Sequence, residues 1–193
     1  MYPALTRVAK TMAILGAIVL SFIIVMTCVS VLGRELNGLF NSTFAQTYAP
    51  TLSKALLDAG VGPVLGDFEL LENMMPFAIF AFLPLAQVSS SHATVDVFTV
   101  FFPESILVWM RAITEIAFAV VLIVFAYKLY EGMMAKMKYG ETTFLIQFPV
   151  WWAYAAAVGA AVITALVGVA MAGLLLTEAI TGRVLTHTQT DSL

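Results

Sequence analysis

Formal charges fall in clusters along this chain, and long apolar stretches separate them. Between Lys10 and Arg34 lie 23 uncharged residues, enough at 1.5 Å per residue to cross a hydrocarbon core of about 30 Å. The pattern predicts a first membrane helix over 11–33. Its apolar run exceeds the usual h-region of a secretory signal and no A-x-A-like site follows, so the helix is expected to be retained. A second uncharged run lies between Glu72 and Asp96. Its core from Met74 to Val88 holds Pro76 and Pro84, which predicts a short, kinked helix over 70–88 whose freed carbonyls are satisfied by neighbours. The third run, Ser105 to Tyr127, contains Arg111 and Glu115 and predicts a helix over 104–130. The fourth is uncharged from Thr142 to Thr177, 36 residues, more than one perpendicular crossing needs. Pro149 suits a first helical turn, so this helix is set at 149–176.

Four crossings place both termini on one side. Lys and Arg are nearly balanced between the sides, and Arg7 and Lys10 before the dominant first helix favour a cytoplasmic location for both termini. Trp109 and Tyr127 are 18 residues apart, a spacing that fits aromatic anchors at two interfaces, and Tyr130, Tyr139, Trp151, Trp152 and Tyr154 gather with Tyr127 at one of them. In the first connection, Pro50 to Gly60 reads as a short interfacial amphipathic helix with Leu52, Leu56 and Ala59 on one side. The second connection contains ATVDVFTVFF, read as an interfacial turn because an unpaired strand edge is disfavoured between membrane helices. The third is drawn from Glu131 to Phe148. The expected fold is thus an all-α membrane protein, a single four-helix domain over 1–193.

Composition agrees. Of 193 residues, 61% are hydrophobic and 11% charged, against about 45–50% and about 25% in a soluble domain, which excludes an ordinary soluble enzyme. A net charge of −3 leaves no basic face for nucleic acid. One cysteine, Cys28, makes no disulfide framework. Phosphate-loop, dinucleotide and H-E-x-x-H motifs are missing, and the two histidines, His92 in a connection and His187 in the tail, do not suit a haem held within the membrane. No catalytic residue, cofactor or metal is expected.

Three groups of residues invite a role. Arg111 and Glu115, at i,i+4 on the third helix, are expected to form an ion pair near the interface; the functional alternative makes Glu115 the ion-binding carboxylate of an autonomous proton-coupled carrier. His92 and Asp96 are expected to hydrogen-bond in a turn rather than hold a metal. Ala156, Ala160, Thr164, Gly168 and Ala172 follow at spacing four on the fourth helix, a small-residue stripe that allows close approach either of another subunit or of this chain's own helices. Val167, one face away, is expected to tolerate a larger side chain.

FLPLAQVSSSHATVDVFT (82–99) and GETTFLIQFPVWWAY (140–154) carry a family resemblance. Pro84, Gln87, His92, Val95, Asp96 and Val97 in the first, and Gly140, Thr142, Thr143, Pro149, Trp151 and Tyr154 in the second, resemble the small, DctQ-like membrane subunit of tripartite ATP-independent periplasmic (TRAP) transporters. Ser90 and Ser91 stand where members often have a basic residue and Gly. The resemblance implies a non-catalytic scaffold in the inner membrane of a bacterium or archaeon. Its partners would be a large elevator-type permease subunit, a periplasmic substrate-binding protein and membrane lipid. The system would import an organic acid on an ion gradient, typically sodium.

Overall fold

The computed structural model describes residues 2–89 and 104–181. Six helices follow in order: α1 (Tyr2–Asn41), α2 (Thr43–Tyr48), α3 (Pro50–Asp58), α4 (Asp67–Val88), α5 (Glu104–Tyr139) and α6 (Val150–Thr181). α1, α4, α5 and α6 are long and apolar enough to cross a membrane, in line with the four predicted crossings. Among the described residues there is no strand beyond an isolated bridge between Thr142 and Pro149. ATVDVFTVFF lies outside the described residues.

Two helices outrun their apolar cores. α5 continues past 130 to Tyr139, which corrects the third connection to 140–149. Lys128 pairs with Glu131 one turn on at 2.7 Å, and Lys136 and Lys138 occupy the last turn, where cations oppose the negative end of the helix dipole. Gly140, at φ 62°, then turns the chain with a left-handed conformation that costs glycine little. α1 extends to Asn41, and the next helix starts immediately, with Ser42 Oγ accepting from the Ala45 N–H.

The four long helices stand in a row, α1–α4–α6–α5, built from two antiparallel hairpins. α1 packs on α4, α5 packs on α6, and the second helix of each hairpin joins the two. Small residues set these distances: a Cβ on Gly16 of α1 would lie 2.9 Å from the Ala81 Cβ of α4. Ala9, Val88, Val167 and Met171 form one core cluster, and Met12, Ala81 and Ala160 another, each drawing on α1, α4 and α6 or its close neighbours. The outer faces of α1 and α5 stay apolar and exposed, with Ile18, Val25 and Leu32 on one and Ile113, Val120 and Phe125 on the other.

The connection between α1 and α4 is fastened at the helix ends. Ser30 is fully buried; its hydroxyl donates to Asp67 Oδ2 at 2.6 Å and accepts from the Val64 N–H at 3.1 Å. Arg34 reaches the same carboxylate oxygen at 3.2 Å and lies over the Phe68 ring. α3 is the helix expected near Pro50, and Gly60 beyond it has φ 87°. The face that packs is centred on Ser53, 2% exposed, whose hydroxyl meets the Ala45 carbonyl at 3.3 Å, while Leu52 is exposed. An apolar side chain facing outward is at home in an interfacial layer.

Candidate functional site

The small-residue stripe on α6 packs inside the chain. Ala160, Thr164, Gly168 and Ala172 are buried, whereas Ala156 is exposed. Pro84 in α4 has no N–H, so the Phe80 carbonyl four residues earlier loses its helical donor. Thr164 Oγ1 lies 2.8 Å from that carbonyl and equally far from its own Ala160 carbonyl, so one hydroxyl proton serves the gap left by a proline on the facing helix. Beside it, a Cβ on Gly168 would lie 3.0 Å from both amide atoms of Gln87 and 3.2 Å from Leu122 Cδ1. The stripe therefore seats α4 on one flank and α5 on the other. Val167, 3% exposed, is buried too, contrary to the expectation of tolerance: α6 stands between two neighbours and has two packed faces.

Gln87, one of the residues that carry the family resemblance, is 1% exposed, and neither amide atom has a hydrogen-bond partner among the described residues. Its signal in the sequence was an amide near the end of an apolar helix. On α5 the buried seam runs Ala112, Glu115, Ala119, Leu122. Glu115 is 5% exposed, while Arg111, one residue off the seam, is exposed. The ion pairs described do not include Arg111 with Glu115. A shared face at i,i+4 still leaves a rotation of about 40° between the two positions, which suffices here to separate a seam residue from its flank. His92 and Asp96 lie outside the described residues, as does His187. Among the described residues no group of three or more His, Cys, Asp or Glu side chains is placed to hold a metal.

The richest polar constellation lies where α4, α5 and α6 meet the 140–149 connection, and the sequence reading did not find it. Glu69, in the first turn of α4, accepts the Leu145 N–H at 2.7 Å and the Ile146 N–H at 3.1 Å. The connection closes on itself through Thr143 N–H to the Phe148 carbonyl at 2.9 Å and Phe148 N–H to Thr143 Oγ1 at 2.9 Å, and Gln147 takes a left-handed φ of 56°. Lys136 is ion-paired with Glu141. Phe144, 90% exposed, Leu145, Ile146 and Phe148 stand on the outside of this tight loop beside the polar Glu141, Thr142 and Gln147, and Trp151 and Trp152 follow with ring centroids 5.4 Å apart.

Two cavities flank the Glu69 anchor. One, of about 470 Å³, is a wedge walled by α4, α5 and α6 and roofed by the connection. Glu69, Glu72, Lys136 and Glu141 line its outer end and Pro76, Leu129, Ala153 and Ala157 its inner end. The other, of about 450 Å³, lies among α1, α4, α6 and the connection, with Val19, Phe77 and Trp152 in its wall. It is almost wholly apolar.

Four apolar helices with two broad apolar outer faces define a multi-pass membrane protein. The comparison with known families is more specific: the family described as "Tripartite ATP-independent periplasmic transporters, DctQ component" matches residues 23–178. The chain belongs to that family, as a TRAP transporter small component. No curated protein and no solved structure gives a significant match.

Proposed function

We propose that this chain is the non-catalytic scaffold subunit of a TRAP-type importer in the cytoplasmic membrane of a bacterium or archaeon, with both termini cytoplasmic. It braces a large elevator-type permease subunit, and a periplasmic binding protein delivers an organic acid that moves in on an ion gradient, with sodium as the coupling ion. Family membership over residues 23–178 carries this reading. The row of helices supports it: α1 and α5 stand at its ends with their outer apolar faces uncovered, and broad apolar surface beyond what a chain buries itself is what a membrane scaffold offers a partner. The test is uptake in proteoliposomes. Transport is expected only when this chain, the large subunit and the binding protein are all present, and transport by the purified chain alone would refute the proposal.

Glu115, 5% exposed on a membrane helix, supports a second reading, in which the chain is itself a proton-coupled carrier and this carboxylate takes the ion. The same assay separates the two: Glu115→Gln in an assembled complex leaves transport intact under the scaffold reading and abolishes coupling under the carrier reading.

A further inference from the structure

The wedge between α4 and α5 changes character with depth. α4 and α6 run inward from the connection and α5 runs outward to it, so residue number gives depth on each wall. Glu72 lies above Pro76, Lys136 is seven residues above Leu129, and Val150 is seven above Ala157. The lining thus passes from carboxylates and an ammonium to aliphatic groups over about 10 Å. That is the polarity profile of a phospholipid, headgroup outward and acyl chain inward.

The charges at the outer end select among headgroups. Three carboxylates and one ammonium line it. Glu69 is spent on the Leu145 and Ile146 N–H groups, and Glu141 on Lys136. Glu72 is exposed and makes no hydrogen bond or close ion pair among the described residues, its charge reaching the paired Lys136 only at longer range. Moreover, Pro76 has no N–H, so the Glu72 carbonyl also lacks its helical donor. One residue thus offers a carboxylate and a main-chain oxygen to a cation, and with Lys136 already paired there is no free ammonium for an anionic headgroup.

We propose that this wedge holds one phospholipid with a primary-ammonium headgroup, its ammonium hydrogen-bonded at Glu72 and its chains descending past Leu129 and Ala157. A quaternary choline headgroup carries the same charge but has no N–H to donate. The full chain, purified in mild detergent, would be equilibrated with equimolar phosphatidylethanolamine, phosphatidylcholine and phosphatidylglycerol and the retained lipid counted by native mass spectrometry. Phosphatidylethanolamine should exceed phosphatidylcholine by about fivefold, the scale of one net hydrogen bond. Glu72→Gln should remove that preference while leaving phosphatidylglycerol unchanged. Leu129→Trp, which fills the inner end, should lower retention of all three. Equal retention of the two zwitterionic lipids, a preference untouched by Glu72→Gln, or a preference for phosphatidylglycerol overturns the proposal. Displacement of the ethanolamine lipid when a large permease subunit binds would show that protein fills the wedge, and overturns it equally.

Discussion

At Thr164 a single hydroxyl meets a carbonyl of the facing helix. It lies 2.8 Å from the Phe80 carbonyl that Pro84 leaves without a donor, and a buried carbonyl with no donor costs about 1–3 kcal/mol. Thr164→Val keeps the shape and removes the hydroxyl, so it should cost the lower half of that range in stability, seen as a lower thermal unfolding midpoint of the detergent-solubilised chain, as hydrogen bonds between membrane helices usually contribute modestly. Thr164→Ser should retain most of the stability; an equal loss in both variants would assign the effect to packing. Gly168 gives a companion test. Leu in its place must displace Gln87 and Leu122, an overpacking expected to cost about 1–3 kcal/mol in the isolated chain. Gly168→Ala meets only the ends of those side chains and should cost much less. If Gly168→Leu instead leaves the isolated chain as stable as the parent and weakens only its complexes, the stripe is an intersubunit surface.

Among the elements, the 140–149 connection depends most on a distant residue. Glu69 holds two of its N–H groups, and Glu69→Gln replaces one acceptor oxygen by a donor. Amides 145 and 146 should then exchange with deuterium about fivefold faster, with exchange along α6 unchanged; unaltered exchange at these two amides would show that the loop's internal bonds suffice. One end of this element was legible, since Pro149 suits a first helical turn; the other was not, because the sequence placed it at Glu131 whereas α5 runs on to Tyr139. Nor was the carboxylate that fixes it, because Glu69 is 76 residues from Leu145 and no periodicity links them. The same limit applies to α6. Spacing four identified the Ala160–Thr164–Gly168 face but not its neighbour, and it missed the second packed face to which Val167 belongs. On α5, spacing put Arg111 and Glu115 on one face but did not show that Glu115 sits in the buried seam with Ala112 and Ala119 while Arg111 lies exposed beside it. Only the order of helices in the row tells which positions are doubly covered.

For the molecule as a whole, the charge-free runs were enough to count the crossings, because the solvent they answer to is lipid and its thickness is fixed. Their order in space was not legible, and that order has a consequence for how the protein is made. α1 and α4 can zip together as soon as residue 88 has left the ribosome, since each already has the other's small residues to pack on. α5 has no such neighbour: it packs on α6, the last helix to be translated, which also carries the link to α4. A nascent chain halted before residue 150 therefore leaves the α5 seam of Ala112, Ala119 and Leu122 without the cover that α6 gives it. Membrane quality control acting on an uncovered helix would remove such fragments, so only chains that complete α6 should accumulate.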